Sequence, residues 1–282
     1  MNTESTRRRP LDAARAGRET GTRAGKFESH WATVGGLRIH ARVSAAAAHD
    51  ANAGSVPVVV LVHGLVVSSL YMMPTAEKLA RSYPVFAPDM PGFGKSDAPA
   101  RTLNVLELAD ALAAWMDAMS IGRAVLVGNS LGCQIIAALA ARSPHKVAGI
   151  VLAGATVDPA GRSRREQFKR LLLDATRERY SLMLLQLRGL CEAGLKRSWQ
   201  TANYALEDRI EANLPHIHAP ALVVCGTRDP IAPPTWAKQM AAMLPRARLA
   251  LVSGAPHALN YTTPEELALL VSEFIERDVS AT

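Results

Sequence analysis

The sequence is poor in cysteine, with three residues in 282: Cys133, Cys191 and Cys225. None forms a CxxC pair, which argues against a disulfide framework and is typical of thiols in a reducing compartment. The chain also lacks an uninterrupted apolar run near the ~18 residues that a membrane-spanning helix needs. No apolar stretch follows the arginines at its start, which argues against a signal peptide. We therefore predict a cytoplasmic protein without integral membrane association.

Ligand sets for a metal ion and motifs for nucleic acid are also missing. His216 and His218 stand two apart without Cys or carboxylate support, so we expect no metal and no other cofactor. The net charge of +7 comes from residues 1–26, with seven basic and three acidic side chains, and from residues 157–216, with eleven and eight. No nucleic-acid motif accompanies either segment, so we expect no such partner. Residues 1–26 have few large apolar groups and are predicted to be a disordered basic tail.

The rest of the chain alternates between short β-branched runs and amphipathic helical patterns. Runs that are apolar on both faces indicate strands of a parallel sheet covered by helices. They span residues 57–64, 83–90, 123–129, 146–154, 220–226 and 247–254. Gly35 and Gly36 mark a preceding antiparallel hairpin, and the pair Thr263 and Glu266 predicts a capping box at the start of the last helix. The pattern predicts an α/β fold, a mostly parallel sheet of about eight strands flanked by helices.

One segment interrupts this alternation. Residues 157–216, called the cap below, contain no strand-like run, only helical and charged sequence. We predict that the cap is a helical insertion into one core domain formed by residues 27–156 and 217–282. Insertions at the carboxyl ends of strands are where open α/β folds build their sites.

A GxSxG motif, GNSLG at residues 128–132, lies between a strand and a helix. On so tight a turn the backbone is strained, and the flanking glycines let strand and helix approach each other. The amino terminus of the helix then favours the negative charge that develops beside the serine. We therefore predict that Ser130 is a catalytic nucleophile.

A serine nucleophile needs a proton acceptor, and that acceptor needs an orienting acid. Asp229 and His257 each follow a strand-like run, and the order Ser130, Asp229, His257 suits this architecture. Asp158 is a competing acid, although Asp-Pro is a common start of a turn. We predict a triad of Ser130, His257 and Asp229.

The segment from His63 to Val66 comes at the end of the first buried strand-like run and carries the third part of the predicted catalytic site. Gly64 allows the backbone to turn so that an N–H points at a substrate carbonyl oxygen. The backbone N–H groups of Leu65 and Leu131 are the predicted oxyanion hole. For His63, a structural role that holds this loop is favoured over that of a second base.

Five motifs, taken in order, resemble those of the α/β-hydrolase superfamily. They are VHGL (62–65), DMPGFGKSD (89–97), GNSLG (128–132), GTRDP (226–230) and PHALNY (256–261). The resemblance covers about residues 27–279 and implies an α/β-hydrolase fold. Dehalogenases and epoxide hydrolases of this superfamily place Asp at the position of Ser130, so the chain does not resemble them.

The residues and the resemblance together favour a cofactor-free, carboxylesterase-like serine hydrolase acting on a small acyl substrate: a carboxylic ester, a thioester or a lactone. A carbon–carbon bond hydrolase of the ring-cleavage type stays open, weakened because Cys133 and Ala258 replace the Gly and Trp often found there. An acyltransferase and a receptor-like member with negligible turnover stay open too. The candidates for the substrate pocket are His63, Val66, Asn129, Phe168, Leu172, Leu185 and Trp199.

Overall fold

The computed structural model describes residues 27–45, 47 and 56–280, so the predicted basic tail lies outside the described residues. Within them, eight strands form one sheet. The strands are β1 (Phe27–Val34), β2 (Leu37–Ser44), β3 (Val58–Val62), β4 (Val85–Pro88), β5 (Ala124–Asn129), β6 (Val147–Ala153), β7 (Ala221–Gly226) and β8 (Ala247–Val252). Their order across the sheet is β1-β2-β4-β3-β5-β6-β7-β8. β2 pairs antiparallel with β1 and β4, and all other pairs are parallel. The prediction of a mostly parallel sheet of about eight strands is confirmed.

Helices connect most of the parallel strands. Those between residues 56 and 280 are α1 (Ser69–Leu79), α2 (Val105–Ala118), α3 (Leu131–Arg142), α4 (Arg164–Ala175), α5 (Tyr180–Ala193), α6 (Leu195–Glu207), α7 (Ile210–Asn213), α8 (Pro234–Met243), α9 (Leu259–Thr262) and α10 (Pro264–Phe274). The start of α2 has a complete capping box, in which Asn104 and Glu107 each accept a hydrogen bond from the other's backbone N–H. Of the helices described, none has the length and apolar character to cross a membrane.

Apolar side chains fill both faces of the sheet. Successive residues of one strand point to opposite faces, so Val59 belongs to one cluster and Val60 to the other. Trp115 of α2 is fully buried in the cluster with Val60, and Phe274 of α10 is fully buried in the cluster with Val59. Helices therefore cover both faces, which explains why β3, β5 and β6 are buried along their whole length.

The cap holds α4 to α7, with no strand between residues 157 and 216, and it follows the carboxyl end of β6. One close approach fixes α5 on the loop after β3: a Cβ atom at Gly189 would lie 2.2 Å from the carbonyl oxygen of Val66. The guanidinium of Arg170 on α4 donates to the Asp158 carboxylate at 2.8 Å and to the Ile231 carbonyl oxygen at 3.3 Å. These contacts place the cap over the carboxyl edge of the sheet, while its standing as a separate insertion stays a prediction.

Candidate active site

Ser130 occupies a strained turn between β5 and α3, with φ 55° and ψ −120°. A Cβ atom at Gly128 would lie 2.6 Å from the carbonyl carbon of Gly132, and one at Gly132 would lie 2.2 Å from the carbonyl oxygen of Val62. Only glycine therefore fits on either side of the turn, which gives the GxSxG spacing its physical reason. The serine caps the amino terminus of α3, where the helix dipole favours negative charge.

His257 and Asp229 form a buried hydrogen-bonded pair. The distance between His257 Nδ1 and Asp229 Oδ2 is 2.8 Å, and both residues are buried. The other carboxylate oxygen of Asp229 accepts the backbone N–H groups of Ile231 and Ala232, each at 2.8 Å. An ionised carboxylate can only accept a hydrogen bond, so the proton of the neutral His257 ring lies on Nδ1 and Nε2 is unprotonated.

Contacts of neighbouring residues bring the His257 loop beside the Ser130 turn. The Asn129 side chain donates to the carbonyl oxygens of His257 (3.3 Å) and Ala153 (3.1 Å). The backbone N–H of Ser130 donates to the same Ala153 oxygen at 3.2 Å. Tyr71 donates its hydroxyl hydrogen to Asn129 Oδ1 at 2.8 Å. Asn129, a predicted pocket residue, is thus buried and tied to three backbone and side-chain partners that hold the two loops together.

Two carboxylates of the cap, neither predicted from the sequence, approach the same histidine loop. Asp174 of α4 accepts the backbone N–H of His257 at 3.4 Å, and Glu178 accepts that of Ala258 at 2.7 Å. Burial raises the pKa of Asp174, and burial raises the pKa of Glu178 to about 7. No motif marks these residues, because their role depends on which side of the cap faces the sheet.

The charges around His257 favour its protonated form. Burial acts against that form, but the Asp229 carboxylate, with weaker contributions from Asp174 and Glu178, outweighs burial and raises the pKa of His257 to about 9. A histidine that serves as a base must first be neutral, so its activity would rise with pH through this pKa.

Replacing Glu178 with glutamine tests this charge environment. A glutamine keeps an oxygen for the Ala258 N–H but removes a negative charge, so the pKa of His257 should fall. We expect the acid limb of the pH profile of kcat/KM to move to lower pH by about half a unit or more. The control is Glu192→Gln, which removes the charge of an exposed glutamate of the cap and should leave the acid limb at the wild-type pH. An acid limb that does not move in Glu178→Gln would contradict the assignment.

His63 holds the loop that carries the predicted oxyanion hole. The Met90 backbone N–H donates to His63 Nε2 at 2.9 Å, so the proton of the neutral ring is on Nδ1, which donates to the Gly64 carbonyl oxygen at 2.8 Å. Burial lowers the pKa of His63, which favours this neutral form. The carbonyl of Gly64 and the N–H of Leu65 belong to one peptide unit and point in opposite directions. His63 therefore orients the Leu65 N–H, and neither of its nitrogens is left to transfer a proton.

The remaining predicted oxyanion and pocket residues fall into different environments. Leu131 is buried at the first position of α3, whereas Leu65 is half-buried. Val66 has a left-handed backbone, with φ 53°, and its carbonyl oxygen faces Gly189. Both N–H groups thus lie at the carboxyl edge of the sheet, and their role as an oxyanion hole stays a prediction.

The four cap residues predicted to line the substrate pocket differ in exposure, and their role in the pocket stays a prediction. Phe168 and Leu172 of α4 and Trp199 of α6 are exposed, and the side of α4 that faces the sheet carries Asp174 instead. Leu185 is half-buried and contributes to an open groove of about 660 Å³ between the cap and α1. None of the four contacts the Ser130 turn through any hydrogen bond or ring contact in the described part of the chain.

Gly154 lies against the His257–Asp229 pair, so a substitution there tests whether turnover depends on the position of that pair. Its φ is +58°, and a Cβ atom there would lie 3.2 Å from His257 Nδ1 and 3.3 Å from Asp229 Oδ2. We expect Gly154→Ala to displace this pair and to lower kcat roughly tenfold or more. Gly35→Ala is the control, since Gly35 has φ +56° but no atom near its missing Cβ. Both variants should lose similar stability, about 1–2 kcal/mol from backbone strain, and equal turnover in the two would refute the prediction.

Known proteins resemble the chain in both sequence and structure. A sequence model described as the alpha/beta hydrolase family matches residues 59–268. A pimeloyl-acyl-carrier-protein methyl ester esterase of Neisseria meningitidis is 31% identical over 245 aligned positions, covering 77% of this chain and 92% of that protein. The biotin biosynthesis bifunctional protein BioHC of Cellvibrio japonicus is 27% identical, and the chain spans 48% of its length. The crystal structure of a bacterial membrane phospholipase A superposes with a TM-score of 0.75 at 25% identity, covering 89% of this chain and 86% of that one.

Proposed function

Because the chain belongs to the alpha/beta hydrolase family, we propose that it is a serine hydrolase of a carboxylic ester or a related acyl compound, a thioester or a lactone. The observation that carries the proposal is the strained Ser130 turn beside the His257–Asp229 pair. The similar protein from Neisseria meningitidis is a methyl ester esterase, which supports an ester as substrate. The substrate proposed is a small molecule.

The reaction follows from the positions of the protons. As Ser130 Oγ attacks the acyl carbon, its proton passes to His257 Nε2, and Asp229 stabilises the imidazolium that forms. The N–H groups of Leu65 and Leu131 donate to the oxygen that becomes negative. The imidazolium then gives its proton to the leaving alcohol, and the bond between the acyl carbon and that oxygen breaks. An acyl-enzyme on Ser130 remains.

Water completes the cycle. His257, neutral again, takes a proton from a water molecule whose oxygen attacks the acyl carbon. The tetrahedral intermediate collapses, the bond to Ser130 Oγ breaks, and His257 returns the proton to that oxygen. The products are the carboxylic acid and the free enzyme, so no cofactor is consumed.

Two measurements test the proposal together. A fluorophosphonate should inactivate the enzyme with time, and peptide mass spectrometry should find the adduct on Ser130. Multiple-turnover assays on a panel of small esters, thioesters and lactones should then show sustained release of acid, which separates an enzyme from a receptor-like protein. Release of acid without labelling of Ser130, or labelling without turnover of any member of the panel, would contradict the proposal.

A further inference from the structure

The cap presents an apolar face to solvent on α5. Its members share one side of the helix by their i, i+3, i+4, i+7 spacing. They are Tyr180, Met183, Leu184 and Leu187, with exposed fractions of 87, 50, 66 and 52%. The opposite side packs inward through the buried Leu182. This helix is thus apolar on the side where a surface helix is ordinarily polar.

The preceding helix, α4, likewise has polar side chains on its inner side and apolar side chains on its outer side. The side of α4 that faces the sheet carries polar groups: Arg170 donates to the Ile231 carbonyl oxygen, and Asp174 accepts the His257 backbone N–H. Its outward side carries Phe168, Leu171 and Leu172, which are 64, 53 and 56% exposed. We call these three residues, together with the four of α5, the outer face. Only four residues join the two helices, and each helix exposes its apolar side.

The exposed charges around the outer face are predominantly basic. Between residues 162 and 191 every exposed charged side chain is basic, namely Arg164, Arg165, Lys169, Arg179 and Arg188. Of the three acids in the same interval, Asp174 and Glu178 hydrogen-bond to the His257 loop, and the half-buried Glu166 pairs with Lys169 at 3.8 Å. Glu192, which pairs with Arg188 at 2.7 Å, lies just outside this interval. The outer face is therefore apolar with a basic rim.

Exposed apolar surface of this extent marks an interaction site rather than ordinary surface. Helices with Leu and Phe on one side and Arg or Lys beside them lie in the interface of a lipid layer, with the apolar side chains below the headgroups. Basic side chains near such a surface are attracted by anionic lipids. We propose that the outer face docks the cap on an anionic lipid surface.

A second copy of the chain fits this face less well. A symmetric dimer places the same patch of each subunit against the other, so the basic rims would lie opposite each other and repel. An anionic lipid surface neutralises the rim and covers the apolar side chains at the same time. Charge complementarity therefore favours the lipid as the occupant.

Vesicle cosedimentation of the full chain tests the proposal directly. The protein should bind vesicles of equal parts phosphatidylglycerol and phosphatidylcholine but only weakly vesicles of phosphatidylcholine alone. The double variant Leu184→Gln, Leu187→Gln should lower the partition coefficient roughly tenfold or more. The double variant Arg165→Gln, Lys169→Gln should lower it by a similar factor. About 0.5 M salt should weaken binding of the wild type more than that of the charge variant.

Matched control variants replace an exposed leucine or two exposed arginines outside the outer face. Leu269→Gln alters an exposed leucine of α10, which is 59% exposed. Arg81→Gln with Arg246→Gln alters two exposed arginines next to the amino ends of strands, away from the cap. Both controls should bind like the wild type, and all variants should keep its melting temperature, because the altered side chains are exposed.

Three results would overturn the proposal. The first is no binding to phosphatidylglycerol vesicles. The second is binding that neither cap variant weakens, which would assign it to another part of the chain such as residues 1–26. The third is a dimer in the absence of vesicles that Leu184→Gln, Leu187→Gln dissociates, which would assign the outer face to a second copy.

Discussion

Ser130→Ala is expected to lower turnover of a small ester by about 10³-fold or more, with little change in melting temperature. The reason is chemical: without Oγ no acyl-enzyme forms, and His257 has no nucleophile to deprotonate. Alanine fits the site, since it keeps the Cβ atom of serine and removes only Oγ. The variant should also lose covalent labelling by a fluorophosphonate.

Ser120 provides the matched control for this variant. It is an exposed serine with φ 58°, close to the 55° of Ser130, in the turn after α2. Ser120→Ala therefore removes a hydroxyl from a similarly left-handed backbone and should keep full activity and labelling. A folded Ser130→Ala protein with unchanged turnover would remove Ser130 from the mechanism.

Asp229→Asn is expected to lower kcat by roughly 10²–10⁴-fold. Asp229 Oδ1 accepts two backbone N–H groups, and an asparagine must keep its oxygen there. Its amide nitrogen then faces His257 Nδ1, which has to accept a hydrogen bond instead of donating one. The neutral ring is left with its proton on Nε2, so it no longer takes the proton of Ser130.

The same substitution at Asp158 should have a much smaller effect, within about tenfold. Asp158 accepts from the Ala160 backbone N–H and from Arg170, not from His257. Asp158→Asn weakens that ion pair and leaves the tautomer of His257 unchanged. Kinetics of the two variants in one buffer decide between the acids, and a larger loss in Asp158→Asn would reverse the assignment.

The sheet and the three proposed catalytic residues could be predicted because each is marked by a short stretch of the sequence. A buried parallel strand requires apolar residues on both faces, and β5 leads directly into the GxSxG turn. Asp229 and His257 stand just after β7 and β8, where parallel strands end at one edge of the sheet. The fold is confirmed, while the roles of these residues stay predictions.

The cap was less predictable because a helical period does not say which side faces inward. An apolar stripe was expected to face the substrate, whereas on α4 the polar side, with Asp174, faces the sheet. The capping box expected at Thr263 is also wrong. The Thr263 hydroxyl donates to the Leu259 carbonyl oxygen of the preceding α9 at 3.0 Å and caps no backbone N–H of α10. Both outcomes depend on neighbours that the local sequence does not contain.

Gly189 sets a condition on redesign of this enzyme. Chimeras that exchange one cap for another would keep the loops of Ser130, Asp229 and His257 on the sheet. Here the donor helix would have to supply a residue without a Cβ atom at the position of Gly189, where a Cβ would lie 2.2 Å from the Val66 oxygen. Any larger residue would push on the loop that also carries Leu65, so a graft chosen for its pocket alone would disturb the chemistry beneath it. Compatibility at this one position is the first criterion for selecting donors.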